Sequence, residues 1–394
     1  MKYLVLLILS LLAAPTFAFN APTAGPARGV FVVSPKLASS GNNLPLSIYQ
    51  TPYIDGSVIT ALWNQIEPSA GAFDWSVVDV EINNAVANNK KIVIDVTAGA
   101  YAPSWLYSAP YNVPNGTFLW GNHDCAGVGT NYVVPVPWNS TYLSRYASMM
   151  AAFSAHLKSI PGAYAATVRV RITGGNTLTD ELHLAFCSVM TGPTGNQLWQ
   201  SLGYTPNNLI AGGQGWIAAA NAAFPDKILS LSILQTGDLP LINNAGQIIG
   251  STNDPTYVDA TQSLITYALS GVSGIASRFA VNWNGFFMPS TASAKVLAAG
   301  AAGAIVGWQT NEFGGNANGG ECPSGTAPVV CTAAGFQTLL DGMISTGNAQ
   351  YIEIFSVNVP QFPAATTHAQ ILLATGSGGQ LTPLPPTNIH VTSQ

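Results

Sequence analysis

Trp308-Gln-Thr-Asn-Glu-Phe-Gly-Gly315 places a carboxylate, Glu312, just past the apolar run AAGAIVG, where a buried strand runs out. Earlier in the chain, RITGGNTLTDELHL carries Asp180 and Glu181 shortly after another apolar strand. A carboxylate in such a place must be solvated, paired or reactive. Two carboxyls facing each other over a cleft are what acetal hydrolysis needs. One protonates the leaving oxygen, and the other attacks the anomeric carbon or activates water. The donor must keep its proton near neutral pH, which burial or a neighbouring negative charge achieves. Other chemistries lack their residues. The five histidines are scattered, and no CxxC pair, GxSxG elbow or Asp-rich calcium loop occurs. No metal and no cofactor are expected.

The remaining acids sort by position. Asp74, Asp79, Glu81, Asp254, Asp259 and Asp341 fall on helical stretches or at their starts and read as caps or solvated faces. Asp95 and Glu353 fall inside strands and need partners. Arg169 and Arg171, in VRVRIT, are candidates for Asp95, and Arg28 is a candidate for Glu353. Glu67 and Asp238 fall near strand ends; Glu67, in IEP, reads as fixing a loop before Pro68.

The elements that must position these residues follow from hydrophobic periodicity. Eight short apolar strands are expected at Gly29–Val33, Thr60–Trp63, Ile92–Thr97, Val168–Thr173, Ile228–Ile233, Phe279–Trp283, Ala304–Trp308 and Ile352–Val357. Between them lie helical patterns, among them WSVVDVEINNAVANN, STYLSRYASMMAAFSAHLKS, LIAGGQGWIAAANAAF, DPTYVDATQSLITYALS and TAAGFQTLLDGMIS. Asp74, Asn139 or Ser140, Asn253 or Asp254, and Thr332 are candidate N-caps. Eight alternating units imply an α/β fold, a single-domain (β/α)₈ TIM barrel over residues 19–375. The alternative, an open doubly wound sheet, lacks a Gly-rich fingerprint after the first strand, where VVSPKLASSGNN stands. Residues 376–394 read as a tail or linker.

In such a barrel the strands' C-terminal ends converge on one face. Strands four and seven lie roughly opposite across that mouth, which would bring Glu181 and Glu312 together. Trp63, Tyr101, Trp105, Trp120, Trp283 and Trp308 also fall at or just past strand ends. Aromatic faces there suit the C–H faces of sugar rings. Trp63, Tyr101, Trp105, Trp283 and Trp308 are therefore candidate substrate platforms, and His183 and His123 are candidate hydrogen-bonding groups.

Composition narrows the setting. Only 7% of residues are charged, against 48% hydrophobic, and the net charge is −5. The surface must be built from Ser, Thr, Asn, Gln and Gly. With no basic stripe, a nucleic-acid partner is not expected. The start MKYLVLLILSLLAAPTFA has a charged residue, an apolar middle and a small-x-small end, the pattern of a secretory signal peptide over residues 1–18. A secreted protein, extracellular or periplasmic, with no membrane span after cleavage, is the expectation. Four cysteines suit an oxidising compartment. Cys322–Cys331 and Cys125–Cys187 are the expected disulfide bonds. Asn115-Gly-Thr117 and Asn139-Ser-Thr141 fit the glycan acceptor pattern.

LWNQIEPSAGAFDWSVVDVEINNAVANNKKIVIDVTAGAYAPSWL, from Leu62 to Leu106, resembles the second and third βα units of the clan A (β/α)₈ glycoside hydrolases. In that clan W-x-x-x-E-P-x-x-G-x-[FY]-D-W precedes a strand and then P-x-W. NEFGG around Glu312 resembles the clan's seventh-strand motif, in which the Glu is the nucleophile. The clan usually ends strand four with Asn-Glu, the Glu being the acid/base. Here Asn176 is followed by Thr177. GGNTLTDELHL is more similar to the loop G-x-G-P-x-G-E-L-R of the β-amylases, a related barrel family, which implies Glu181 as the acid/base and leaves Asp180 as its competitor. β-Amylases invert and clan A enzymes retain. The resemblance also implies that Asn176 hydrogen-bonds the sugar 2-hydroxyl.

The expected activity is O-glycosyl hydrolysis of an oligo- or polysaccharide by two carboxylates, Glu181 and Glu312, in the retaining sense. The alternative is a catalytically inactive, carbohydrate-binding or extracellular surface barrel, motivated by Thr177. Sugar, linkage and oligomeric state are not written in the sequence.

Overall fold

Eight parallel strands close on themselves in chain order: β1 Gly29–Val33, β2 Gly56–Leu62, β3 Lys91–Thr97, β4 Thr167–Arg171, β5 Ile228–Ile233, β6 Phe279–Trp283, β7 Ile305–Gln309 and β8 Tyr351–Phe355. β8 pairs with β1 to complete the barrel. A computed structural model supplies the coordinates. It describes residues 28–34, 43–120, 130–184, 195–234, 239–284, 290–310 and 332–376. The expected leader, all four cysteines, His123, Asp238, Glu312 and the tail beyond Gly376 lie outside these residues.

Each strand is followed by a helix: α1 Leu46–Tyr49, α2 Ser76–Ala87, α3 Ser140–Ser159, α4 Pro206–Ala223, α5 Ala260–Leu269, α6 Thr291–Ala301, α7 Ala333–Ser345 and α8 Pro363–Thr375. Local chemistry sets their starts. The Asn139 side chain accepts from the backbone N–H groups of Thr141 and Tyr142 at 3.0 and 3.2 Å, satisfying donors the helix cannot. Tyr142, Tyr146, Met149, Met150, Phe153 and Leu157 then form the buried stripe of α3. Thr205 caps α4, and Pro206 at its first position has no N–H to lose. Thr332 caps α7 through the Gly335 N–H.

The expected elements shift by a few residues. α5 begins at Ala260 under an Asp259 cap, not at residues 253–254. Asp254 instead accepts from the Thr256 N–H in an exposed turn. At α2, Asp74 binds the Ser76 N–H and hydroxyl one residue ahead of the N-cap position, Trp75. β2 starts earlier than expected and ends at Leu62, so Trp63 opens a helical turn to Ile66. An antiparallel hairpin, Asn115–Trp120 with Thr130–Pro135, rises between β3 and α3.

Side chains alternate strictly along the barrel. The outward set packs under the helices as one large core. The inward set is apolar near the N-terminal end, where Phe31, Val58, Val93, Ile228, Ala280 and Tyr351 form a separate small cluster. Gly307 makes room there, since a Cβ on it would lie 1.9 Å from the Tyr351 ring. Toward the C-terminal end the inward residues turn polar: Asp95, Arg169, Arg171, Ser232, Asn282, Gln309 and Glu353, all buried.

Candidate active site

The polar half of the lumen is an ion-pair chain. Arg169 and Arg171 both bind Glu353, one to each carboxylate oxygen, and Arg171 also binds Asp180. Asp95 lies 3.6 Å from Arg171 and accepts from the Thr60 hydroxyl at 3.3 Å. Arg169 is further held face-on by the Tyr351 ring, 3.4 Å from its centroid. Burial, then the Asp180 charge, holds the Asp95 carboxyl well above the usual range, against the opposing pull of Arg171. The expected Arg169–Asp95 pair gives way to Arg169–Glu353. Arg28 is not the partner of Glu353; its guanidinium donates to the Leu373 carbonyl at 3.3 Å.

Above this chain sits the loop after β4. Its entry is fixed by the Ile172 N–H to the Ser230 carbonyl at 2.7 Å and its exit by the Leu182 N–H to the Ser232 carbonyl at 2.9 Å. Leu182 forms a parallel bridge with Ile233, so the loop returns to the edge of β5. Gly99 lies beneath it with φ of +52°, where a Cβ would meet the Asn176 carbonyl at 1.9 Å. Between those ties the loop lowers Asp180 and Glu181 onto the barrel's C-terminal mouth.

The two acids have different partners. Asp180 is the one paired with Arg171. Glu181 has no arginine. Its Oε1 accepts from Asn284 Nδ2 at 2.6 Å, and the same amide reaches Asp180 Oδ1 at 3.1 Å. Glu181 Oε2 is buried with no close hydrogen-bond partner among the described residues. Burial, reinforced by the adjacent Asp180 charge, pushes the Glu181 carboxyl up to about 7, while the Thr179 hydroxyl and the Glu181 N–H help hold its proton affinity down. This is the environment of a proton donor.

The other expected site residues divide. His183 is in the same loop, buried, its Nδ1 3.2 Å from the Thr177 hydroxyl. Asn176 is beside them, but its amide is engaged by its own loop: Oδ1 accepts from the Gly174 N–H and Nδ2 donates to the Thr179 carbonyl. It shapes the loop rather than presenting a donor to a ligand. Tyr101 and Trp105 are half-buried on short turns after β3. The Trp105 indole donates to the Glu67 carbonyl at 3.0 Å.

Three tryptophans are elsewhere. Trp63, Trp283 and Trp308 are buried in the layer between barrel and helices, at 0–2% exposure. Trp63 donates to Glu67 at 2.7 Å and packs on Tyr142 and Tyr146. Trp308 donates to the Gly347 carbonyl at 2.9 Å and meets Trp283 edge-on. Their expected role as sugar platforms is corrected to core packing: strand parity turns Trp283 and Trp308 away from the lumen, and Trp63 opens the helical turn after β2 and packs under the helices. Glu67 is also structural, bound by Trp63, the Gly71 N–H and Arg145.

Sequence reasoning missed Asn282 and Asn284. Both sit on the inward side of VNWN, two apart, and that alternation was the available signal. Thr310 follows β7, its N–H tied to the Glu353 carbonyl at 2.9 Å, and the described chain stops there, two residues before Glu312. Among the described residues no group of three or more His, Cys, Asp or Glu is arranged to hold a metal. None of the described helices is long and apolar enough to cross a membrane.

The architecture has counterparts among known proteins. The family model Glyco_hydro_42, described as beta-galactosidase, matches residues 57–116, which span β2, α2 and β3. Among solved structures, the catalytic domain of β-amylase from Paenibacillus polymyxa superposes with a TM-score of 0.55 at 13% identity, covering 89% of this chain and 100% of that one. A β-galactosidase from the psychrophilic Marinomonas ef1 gives 0.49 at 9% identity, over 88% and 59% of the two chains. Xylanase 10B from Thermotoga maritima gives 0.46 at 9% identity, over 90% and 96%. No curated protein matches the sequence. The closed barrel and the β2–β3 match fit the clan A (β/α)₈ glycoside hydrolases that the sequence resembles.

Proposed function

We propose that this chain is a glycoside hydrolase that cleaves O-glycosidic bonds of an oligo- or polysaccharide, with Glu181 as general acid/base and Glu312 as its partner. The reading rests above all on Glu181. Its carboxyl is buried at the mouth of the barrel, is raised to about 7 by burial and by the Asp180 charge, and is held through Oε1 by Asn284. A protonated carboxyl of that kind can give its proton to a glycosidic oxygen as the bond breaks. Asp180, tied to Arg171, is the poorer donor. The family match over residues 57–116 supports the class.

Glu312 is assigned from its motif, three residues past the end of β7. As nucleophile it would form a glycosyl-enzyme ester that water, deprotonated by Glu181, then hydrolyses with net retention. The chain is further proposed to be exported under a leader at residues 1–18 and to act outside the cytoplasm, with disulfides Cys322–Cys331 and Cys125–Cys187.

A panel of aryl glycosides and common polysaccharides tests the activity, with NMR of the first-formed anomer reporting stereochemistry. Glu312→Gln should abolish turnover and leave ligand binding intact. A native protein that binds glycans but turns over nothing on the panel would favour the inactive-barrel reading that Thr177 motivates. Undiminished hydrolysis by Glu312→Gln would remove Glu312 from the mechanism.

A further inference from the structure

The Asn282 and Asn284 amides form a hydrogen-bonded chain beneath Glu181. Asn282 Oδ1 receives the Ser232 hydroxyl at 3.2 Å and the Tyr351 hydroxyl at 3.4 Å. Its Nδ2 therefore faces Asn284, donating to Asn284 Oδ1 at 2.8 Å. That fixes the Asn284 amide with its NH₂ toward Asp180 and Glu181.

We propose that Asn284 is a positioning residue for Glu181: its NH₂ bridges the two adjacent carboxyls, fixing Glu181 by Oε1 so that Oε2 is presented at the mouth, while Arg171 pins Asp180 alongside. This rests on the reading of Glu181 as the acid/base. Asn284 touches no reacting atom in this account. It acts by limiting the rotation of the Glu181 carboxyl and by holding the Asp180 charge at a set distance.

Both functions leave a signature in proton affinity. A hydrogen bond donated to a carboxylate favours its ionised form, and a neighbouring negative charge disfavours it. Beyond burial, Asp180 raises the Glu181 proton affinity, while Thr179, the Glu181 backbone N–H and Asn284 lower it, in that order, so Asn284 and Asp180 pull in opposite directions. The groups facing this cluster are Asp180 and Arg171 on β4 and its loop, His183 on the same loop, Asp95 on β3, Asn282 on β6, Gln309 on β7, and Glu353 and Tyr351 on β8. Arg171 and Glu353 compensate one another within the ion-pair chain. Among the described residues, Asp180 is the neighbour whose charge raises Glu181.

The test is carboxyl ¹³C NMR titration of the full-length protein, with the Glu181 resonance identified by its loss in Glu181→Gln. In Asn284→Ala the Glu181 midpoint should rise by about half a unit or more. In Asp180→Asn it should fall. A merely structural role would move both the same way or neither. Any hydrolytic activity found should drop by about tenfold or more in kcat for Asn284→Ala, with KM little changed, because alignment and not binding is lost. Should Asn284→Ala fail to fold, Asn284→Leu, close in volume but lacking the donor, is titrated instead. Midpoints unmoved in both variants, or moved together, overturn the proposal. Opposed shifts in a protein that hydrolyses nothing would uphold the positioning and sink the glycosidase reading.

Discussion

Asp180 and Glu181 are consecutive, yet the Arg171 guanidinium reaches only Asp180. That contact pairs Asp180, and leaves Glu181 in a buried site raised by its neighbour's charge. Two consequences follow for pH. The rate constant kcat/KM should fall as pH rises through about 7, because the donor form of Glu181 disappears there. A profile flat between pH 5 and 9 would contradict this. Stability follows the same group. Its folded-state value lies above the unfolded one, so its contribution is full below about 4.5 and is lost as pH rises through about 7. Glu181→Gln, which mimics the protonated form, escapes that loss. At pH 8 thermal unfolding of the variant should come later than that of the native protein, by an effect of up to about 3 kcal/mol, although its hydrolysis of unactivated substrates is impaired. Arg171→Met should do the opposite. It strips Asp180 and Glu353 of a buried partner and should cost about 3–5 kcal/mol in a denaturant titration.

At the scale of elements, parity along each strand decides what a residue can do. Trp283 lies between Asn282 and Asn284, and Trp308 precedes Gln309, so both tryptophans face the helices. Trp308→Phe should therefore destabilise the protein by about 1–3 kcal/mol, through the lost bond to the Gly347 carbonyl and lost volume. The KM for a glycan should stay unchanged. A large rise in KM with native stability would restore Trp308 to the site. Asn139→Ala removes the cap of α3 and should cost about 1 kcal/mol. The sequence was legible at this scale where periodicity was strong. β1, β5 and β6 and the whole of α3 have the expected bounds. It was less legible where position near a strand end was read without parity, which is how Trp63, Trp283 and Trp308 entered the expected site. Asn282 and Asn284 were overlooked for the same reason. The Asn176 amide illustrates a different limit: its partners, Gly174 and Thr179, depend on a loop conformation that spacing does not encode.

Across the whole molecule, the order of the barrel could be read from the eight apolar runs, because parallel strands buried on both faces have few other ways to alternate with helices. The pairing inside the lumen could not. Arg169, Arg171 and Glu353 come from distant parts of the chain, and only closure of β8 on β1 puts Glu353 above both arginines. The sparse charge of the chain has its own consequence. With 7% charged residues, no strong field steers a substrate, so kcat/KM on a neutral glycan should change by less than about twofold between low and high salt. A steep salt dependence would point to a charged sugar.

The central claim is that Glu181 donates a proton to the departing oxygen, and leaving-group dependence tests it most directly. The measurement is kcat/KM for the native protein and Glu181→Gln on a series of aryl glycosides of the preferred sugar, from poor to highly activated leaving groups. The account predicts a deficit of about 10²–10⁴ on poor leaving groups that shrinks toward none on dinitrophenyl glycosides, which need no protonation. An equal deficit across the series, or none anywhere, would contradict it.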